Sequence, residues 1–206
     1  MFWFFYNILF AIGYLIMMPR FVFRMWKRGG YRQDFLQRVG VYRPEVLARL
    51  RERRRIWIHA VSVGEIGVAL RFMEEIRRAR PGIAFVLTTT TSTGHKVAES
   101  RIGADDVLVY FPSDFPAVVR KVLEILNPIA LILTEGELWP NLIRLAHGRG
   151  TPVMLINGRV SGRSVSGYRK ARVFFRPILR MMDLFLVQGE GDSQRLAEVG
   201  APPERI

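Results

Sequence analysis

Glu65 marks the point where an apolar run gives way to a helical pattern, in the stretch HAVSVGEIGVAL (59–70). We expect Gly64 to let the backbone turn sharply there, so that Glu65 lies in the first turn of a helix. In that position a carboxylate faces free backbone N–H groups and the positive end of the helix dipole. A carboxylate oriented in this way could accept a proton from a bound hydroxyl group. The alternative is that Glu65 only complements the helix dipole, which is worth about 0.3–1 kcal/mol.

Two further carboxylates, Glu135 and Glu137, are spaced i and i+2 in TEGELWPN (134–141). If the chain is extended there, both side chains face the same side. Two close carboxylates resist simultaneous ionisation unless a cation or a hydrogen-bond donor offsets their charge. Such strain is retained for function more readily than for packing, so the pair is a candidate for chemistry. Solvated loop acids are the alternative.

Hydroxyl groups and basic side chains occupy two other segments. The segment LTTTTSTGHK (87–96) could bind phosphate through hydroxyl and backbone N–H groups, although it lacks the Gly-Lys-Ser/Thr ending of a Walker loop. Plain helix capping would also explain it. The segment NGRVSGRSVSGYRK (157–170) could contact phosphate or an acidic sugar, or it could form a generic basic face. The candidate substrate-binding residues are Ser62, Gly64, Thr90, Thr93, Gly94, Glu137, Asn157, Arg159 and Arg163.

The sequence gives no indication of a metal site or a bound cofactor. Its three histidines, His59, His95 and His147, have neither i/i+4 nor His-x-His spacing. The chain contains no cysteine, which excludes disulfide bonds and thiolate metal ligands. We therefore expect the reaction, if there is one, to rely on side chains alone.

The elements that must position these residues follow from six apolar runs, which are near-continuous rather than alternating. That pattern is typical of parallel strands covered on both faces. The runs are 56–62, 84–91, 107–112, 129–135, 153–160 and 184–190. Helical patterns separate them, and this alternation predicts an α/β fold with a Rossmann-like, doubly wound parallel sheet over residues 56–206. Ligands of such sheets bind beyond the carboxyl ends of the strands, where the candidate residues fall.

The N-terminus differs in composition from the rest of the chain. Residues 1–18 carry no charge, whereas residues 20–55 contain twelve Lys and Arg against three Asp and Glu, and the whole chain has a net charge of +13. We predict a membrane anchor helix over 1–19 and a basic amphipathic linker over 20–55. The apolar run is close to the roughly 20 residues that span a bilayer, and basic flanks stay cytoplasmic. A buried core helix is the alternative.

Two other interpretations of this composition fit poorly. A secretory signal peptide carries its positive charge before the apolar run, whereas here the charge follows it. Nucleic-acid binding is not expected, because aromatic residues are not interleaved with the later basic residues as stacking platforms. An anionic lipid or a phosphorylated substrate is the partner that the charge favours.

Five motifs, in this order, make the whole chain resemble a known family. They are HAVSVGE, TTTTSTG, TEGELWPNL, NGRVSGRSVSGY and VQGEGDSQRLAEVGA. The chain resembles the N-terminal half of the Kdo (3-deoxy-D-manno-octulosonic acid) transferases, which build the inner core of lipopolysaccharide. The resemblance implies a two-domain glycosyltransferase-B fold on the cytoplasmic face of the inner membrane. The N-terminal domain would hold a phosphorylated lipid A precursor, and a C-terminal domain, missing from this chain, would hold the donor CMP-Kdo.

The resemblance also implies roles for particular residues. Glu65 matches the proton acceptor of the family, and Glu135 matches a position that stabilises the transition state. The chain departs from the family pattern at Gly136 and Gly158, where bulkier residues are usual, and it stops before a downstream lysine of the family. We therefore expect these 206 residues to bind an acceptor without turning over.

Two alternatives to this interpretation stay open. One is a transferase of the same fold that uses another lipid-linked acceptor. The other is a non-catalytic, membrane-tethered module that binds anionic lipid through its basic face.

Overall fold

A computed structural model describes residues 2–28, 34–159, 167 and 172–206, with side chains from residue 34 onward and for residues 2–23. Six strands form one parallel sheet. They are β1 (Ile56–Ala60), β2 (Phe85–Thr89), β3 (Val107–Tyr110), β4 (Leu131–Thr134), β5 (Val153–Gly158) and β6 (Leu184–Val187). Each lies within a run predicted from the sequence, which confirms the predicted sheet.

Helices alternate with these strands along the chain. They are α1 (Phe2–Arg28), α2 (Pro44–Glu52), α3 (Val63–Ala79), α4 (Ser92–Glu99), α5 (Pro116–Leu126), α6 (Pro140–Gly148), α7 (Arg172–Leu179) and α8 (Glu190–Val199). Short 3-10 helices lie at Phe35–Val39 and Pro203–Arg205. The helix predicted to begin near Glu65 is α3, which starts at Val63 because Ser62 supplies its N-cap.

The strand order is β3-β2-β1-β4-β5-β6, the arrangement of a doubly wound dinucleotide-binding sheet. Side chains of α3 and α4 pack on one face of the sheet, and those of α5, α6, α7 and α8 pack on the other. Every residue of β1 is buried, Trp57 toward one face and Ile58 toward the other. Burial on both faces explains why the strands read as near-continuous apolar runs.

The region predicted as a basic linker contains folded elements that pack on the sheet. The Gln37 side chain accepts a 2.8 Å hydrogen bond from the backbone N–H of Tyr110 in β3. Arg55 is buried because its guanidinium group donates to the backbone carbonyls of Arg49, Arg53 and Asp105. The backbone carbonyl dipoles thus stabilise the buried Arg55 guanidinium group. The basic residues of this region are therefore not all available to a partner.

Helix α1 continues beyond the predicted anchor, through Pro19 to Arg28. Within the described part of the chain, it provides the one segment that is long and apolar enough to cross a membrane. That segment is Phe2–Phe23, with a mean hydropathy of 1.6, and none of its most apolar stretch is buried inside the protein. An apolar N-terminal helix is thus present, and its exposure argues against the alternative of a buried core helix.

Candidate functional site

The site lies where the direction of the sheet reverses. β1 and β4 are neighbours, but the chain leaves β1 toward β2 and leaves β4 toward β5, on opposite sides. The carboxyl ends of these two strands form a topological switch point, and ligands of doubly wound sheets bind in a crevice at such a point. Glu65 follows β1 and Glu135 follows β4, so two of the predicted residues flank this crevice.

Glu65 is held in a capping box at the start of α3. The Ser62 hydroxyl accepts from the Glu65 backbone N–H at 3.1 Å, and the Glu65 carboxylate accepts from the backbone N–H groups of Ser62 at 3.2 Å and Val61 at 3.0 Å. This reciprocal pairing satisfies N–H groups that a helix N-terminus leaves free. The predicted place of Glu65 in the first helical turn is therefore correct. The alternative prediction, that Glu65 complements the start of the helix, also agrees with the structure, since its carboxylate caps α3.

The Glu65 side chain is nearly buried, since the residue is only 5 % exposed. The hydroxyl of Thr134, the last residue of β4, lies 2.8 Å from Glu65 Oε2 and 2.9 Å from the backbone carbonyl oxygen of His59. Oε2 thus receives two donors and Oε1 receives one. A carboxylate offers about four acceptor positions, so Oε1 keeps one position that no donor among the described residues occupies.

The Thr134 hydroxyl is suited to a carboxylate that changes its protonation state. It has a single proton and two acceptors within reach, Glu65 Oε2 and the His59 carbonyl. When the carboxylate is ionised, the proton can point to Oε2. When Oε2 carries a proton, the hydroxyl can accept that bond and donate to the carbonyl instead, which keeps every polar atom paired in both states.

Glu135 adopts a backbone conformation that is uncommon for a residue with a side chain. Its φ is 56°, in the left-handed region, and Asn157 at the end of β5 has a φ of 55°. Each such residue costs of order 1–3 kcal/mol, and strained residues of this kind cluster at functional sites. The Asn157 amide lies 3.4 Å from Glu135 Oε1, and Gln188 donates to Asn157 Oδ1 at 2.9 Å. A chain of polar side chains thus joins the ends of β4, β5 and β6.

This turn corrects one premise of the sequence prediction. The chain is not extended from Glu135 to Glu137, because the left-handed residue turns it directly after β4. Glu137 nevertheless lies close enough to both other acids to feel their charge. Burial raises its pKa most, Glu65 and then Glu135 raise it further, and a hydrogen bond from the Trp139 indole at 3.1 Å opposes the shift. The expected interaction of carboxylates therefore involves three side chains rather than two.

The rings of His59, Phe111 and Trp139 pack together beside the loop that follows β4. The His59 ring is completely buried and stacks on Phe111 at 3.6 Å, and Trp139 lies 5.0 Å from Phe111. Burial lowers the pKa of His59 to about 3, a shift that the hydrogen bond with the Thr88 carbonyl only partly offsets. An enclosed imidazole with so low a pKa is a poor base, so His59 acts in packing.

The hydroxyl-rich turn serves mainly as a helix cap. Thr91 accepts from the Gly94 backbone N–H at 3.1 Å and donates to the Val61 carbonyl at 3.2 Å. A Cβ at Gly94 would lie 2.7 Å from Ile66 Cδ1, so this glycine allows α4 to pack against the start of α3. Thr93 is exposed, and the Thr90 hydroxyl is buried without a hydrogen-bond partner among the described residues. Of the predicted hydroxyl groups here, that of Thr90 is the one whose pairing is incomplete.

Three predicted residues remain: Gly64, Arg159 and Arg163. Gly64 lies inside α3, and its φ is not in the left-handed region, so the expectation that it makes the turn is wrong. The chain turns at Ser62, whose backbone is extended, and a Cβ at Gly64 would make only an ordinary contact, 3.8 Å from Ser62 Oγ. Arg159 is exposed and lines a small cleft of about 40 Å³ together with Glu135. Arg163 lies outside the described residues.

No group of three or more His, Asp or Glu side chains is placed to hold a metal ion within residues 2–28, 34–159, 167 and 172–206. The acids at the switch point are instead held by N–H and hydroxyl donors. The site as described is one of carboxylates, amides and a hydroxyl. Groups of this kind can transfer protons and stabilise charge.

Comparison with known proteins identifies the group to which this sheet and its acids belong. The profile of the family described as 3-Deoxy-D-manno-octulosonic-acid transferase (kdotransferase) matches residues 33–206. The chain belongs to the Kdo transferase family. The resemblance drawn from the five motifs is thereby confirmed.

Individual relatives cover different shares of the chain. A 3-deoxy-D-manno-octulosonic acid transferase of Chlamydia pneumoniae is 28 % identical over 203 residues, which is 98 % of this chain and 46 % of that protein. One from Haemophilus influenzae is 30 % identical over 176 residues, 85 % of this chain and 40 % of that protein. One from Rickettsia felis is 34 % identical over 148 residues, which is 72 % of this chain and 32 % of that protein. The chain thus spans less than half the length of these relatives.

Proposed function

We propose that this chain forms the acceptor-binding part of a glycosyltransferase that moves Kdo from CMP-Kdo to a phosphorylated lipid A precursor. Membership of the Kdo transferase family supports the reaction class. The observation that carries the proposal is the Glu65 carboxylate, which three donors fix at the switch point with one acceptor position open. The donor-binding part is a C-terminal domain outside these 206 residues.

In the proposed reaction, a hydroxyl group of the acceptor donates a hydrogen bond to the open position on Glu65 Oε1. The carboxylate takes the proton as the hydroxyl oxygen forms a bond to the anomeric carbon of Kdo. The bond from that carbon to the phosphate oxygen of CMP breaks, and CMP leaves with the electron pair. The Thr134 hydroxyl stays bonded to Oε2 and keeps the Glu65 carboxylate in place while Oε1 takes the proton.

Glu135 has a separate part in this proposal. Glycosyl transfer builds positive charge on the donor sugar in the transition state. A fixed carboxylate at the edge of the crevice stabilises that charge without reorganising. The left-handed backbone of Glu135 and its contact with Asn157 hold the side chain at this edge. No catalytic part is proposed for Glu137, although burial and the charges of the other two acids raise its pKa.

Binding of the acceptor is the second half of the proposal. Arg159 is exposed beside Glu135, and Arg163 follows four residues later in the sequence, so both are proposed to contact phosphate of the glycolipid. We propose that the apolar N-terminal helix anchors the protein at the cytoplasmic face of an inner membrane, which the length and hydropathy of Phe2–Phe23 support. An acceptor embedded in that membrane would reach the crevice without leaving the lipid.

The test uses the full-length protein that carries these 206 residues. It is incubated with CMP-Kdo and a lipid A precursor in mixed micelles, and products are identified by mass spectrometry. We expect the mass of the acceptor to increase by Kdo and CMP to be released. A panel of other lipid-linked acceptors is run in parallel, since transfer to one of those alone would indicate a different transferase of the same fold. Vesicle binding without any transfer would refute the enzymatic proposal and favour a lipid-binding module.

A further inference from the structure

One face of α1 is joined to the sheet domain by polar bonds along its length. The Tyr6 hydroxyl donates to Asp114 Oδ2 at 2.7 Å, and the Asn141 amide donates to Asn7 Oδ1 at 2.7 Å. The Ser113 hydroxyl bonds to the Tyr14 hydroxyl at 3.0 Å. Ser113 and Asp114 follow β3, and Asn141 lies in the first turn of α6, so all three bonds meet the carboxyl edge of the sheet.

Ring contacts extend the same face in both directions. The Arg144 guanidinium lies 4.6 Å from the Trp3 ring, and that of Arg38 lies 5.2 Å from the Phe21 ring. Between them, the Phe10 and Tyr14 rings pack edge-on against Phe115 at 5.0 and 5.1 Å, a further contact at the carboxyl edge. At 1.5 Å per residue, the contacts from residue 3 to residue 21 cover about 27 Å of helix. The helix is therefore fixed against the domain over most of its length.

The opposite face of α1 is apolar and exposed. Its most exposed members are Leu9, Leu15, Ile16 and Met17, each between 68 and 72 % exposed. The other exposed large apolar residues of this helix are Phe4, Phe5, Ile8, Ile12, Val22 and Phe23. A continuous exposed apolar face of this size on a soluble surface marks an interaction site.

While its contacts with the sheet domain persist, α1 cannot span a bilayer. Spanning would place residues 2–23, about 33 Å of helix, within the hydrocarbon. Asp114 and Arg144 would then be drawn in, together with the loop after β3 and the helix α6 that carry them. A charged side chain at the bilayer centre costs at least about 2.5–3.5 kcal/mol, and irregular backbone exposed to lipid has unsatisfied polar groups. A docked helix and a spanning helix are thus alternative states of α1.

We propose that α1 lies in the plane of the membrane as a docked, monotopic anchor, with its exposed apolar face in the lipid and its other face holding the carboxyl edge of the sheet at the bilayer surface. The partner is the interfacial layer of a leaflet that contains anionic lipid. Exposed Arg20 at the end of the apolar stretch and the net charge of +13 complement that surface. This orientation does not depend on which sugar is transferred, and it places the crevice beside lipid-borne molecules.

The absence of cysteine makes a depth measurement straightforward. Single cysteines replace Phe5, Ile12, Ile16 or Phe23, which lie on one side of the helix at 100° per residue. Each is spin-labelled in vesicles of phosphatidylethanolamine and phosphatidylglycerol, and its depth is obtained from collision with oxygen and a nickel chelate. A label at Glu75 on α3, an exposed position of the domain, is the aqueous control.

An in-plane helix gives the four labels similar depths, about 5–10 Å below the headgroups. A depth that peaks at Ile12 and falls toward both ends would overturn the proposal, because only a spanning helix produces it. Labels that stay aqueous in vesicles would also overturn it. A further arm compares Tyr6→Phe with the unaltered helix. We expect the variant to remain bound to vesicles but to show a wider spread of depths, since one docking bond is lost.

Discussion

Asp114 offers a quantitative test of how the anchor helix, the loop after β3 and α6 are held together. Its carboxylate is fully buried and accepts from the Tyr6 hydroxyl at 2.7 Å and from the backbone N–H groups of Asn141 and Leu142 at 3.0 and 2.9 Å. Two effects compete for its ionisation. Burial favours the neutral acid, whereas these three donors and the nearby Arg144 favour the carboxylate.

Burial is the larger effect, and it raises the pKa of Asp114 from 3.8 to about 6. The folded protein therefore holds a proton between pH 4 and 6 that the unfolded chain releases. The free energy of unfolding consequently falls as the pH rises through this window. Two pH units at about 1.4 kcal/mol each correspond to a loss of roughly 3 kcal/mol that is complete above the folded pKa.

The assay is urea unfolding in mild detergent, followed by tryptophan fluorescence from pH 3.5 to 7.5, on the wild-type chain and on Asp114→Asn. The asparagine lacks one acceptor, which lowers stability by a similar amount at every pH, and it does not titrate. We expect the wild type to lose roughly 3 kcal/mol relative to the variant as the pH rises. If the free energy of unfolding of the wild type instead rises relative to that of the variant as the pH rises, the reasoning is refuted. That result would mean that the hydrogen-bond donors lower the pKa of Asp114 more than burial raises it.

Three other substitutions test the site itself. Thr134→Val should lower the rate of transfer by about 10–100-fold with little change in KM, because the hydroxyl that holds the Glu65 carboxylate in place is lost; an unaltered rate would remove this role. Glu135→Gly should be more stable than Glu135→Ala by about 1 kcal/mol in urea unfolding, since glycine relieves the left-handed strain, although both should lose transfer. Trp139→Phe should raise the pKa of Glu137 further, as titration by carboxyl NMR would detect, because the opposing hydrogen bond is removed.

The strands could be predicted well because both faces of the sheet are covered. Each buried strand then appears as an uninterrupted apolar run, and only its ends are uncertain. The run 84–91, for example, is too long, since β2 ends at Thr89 and the Thr91 hydroxyl caps α4. A signal for the capping was present: Ser62 and Glu65 have the S-x-x-E spacing of a capping box, which predicts both halves of the arrangement.

Contacts between distant segments could not be predicted in the same way. Thr134 meets Glu65 only because β1 and β4 are neighbours, and strand order is not encoded in local periodicity. The left-handed conformation of Glu135 carries no local signal, because glycine is the usual residue there. For α1, Tyr6, Asn7 and Tyr14 stand out as polar groups on one side of an apolar helix. That placement was the available indication that one face is docked.

The structure also changes how the central residue must be tested. Glu65→Ala would leave the N–H groups of Val61 and Ser62 without acceptors, so lost activity could reflect a damaged helix terminus. Glu65→Gln keeps the shape and one acceptor oxygen, at a cost of about 1–2 kcal/mol in stability. Thr91→Ala is a matched control, since it removes the side-chain cap of the neighbouring α4 for about 1 kcal/mol and leaves the Glu65 carboxylate in place.

The most direct measurement is therefore the kcat of transfer by the full-length protein carrying Glu65→Gln, set beside that of Thr91→Ala at equal folded fraction. A base at the switch point predicts a fall of about 10²–10⁴-fold for Glu65→Gln and a change within about twofold for the control. If both variants keep similar rates, Glu65 is a helix cap alone and the proposed proton transfer is contradicted.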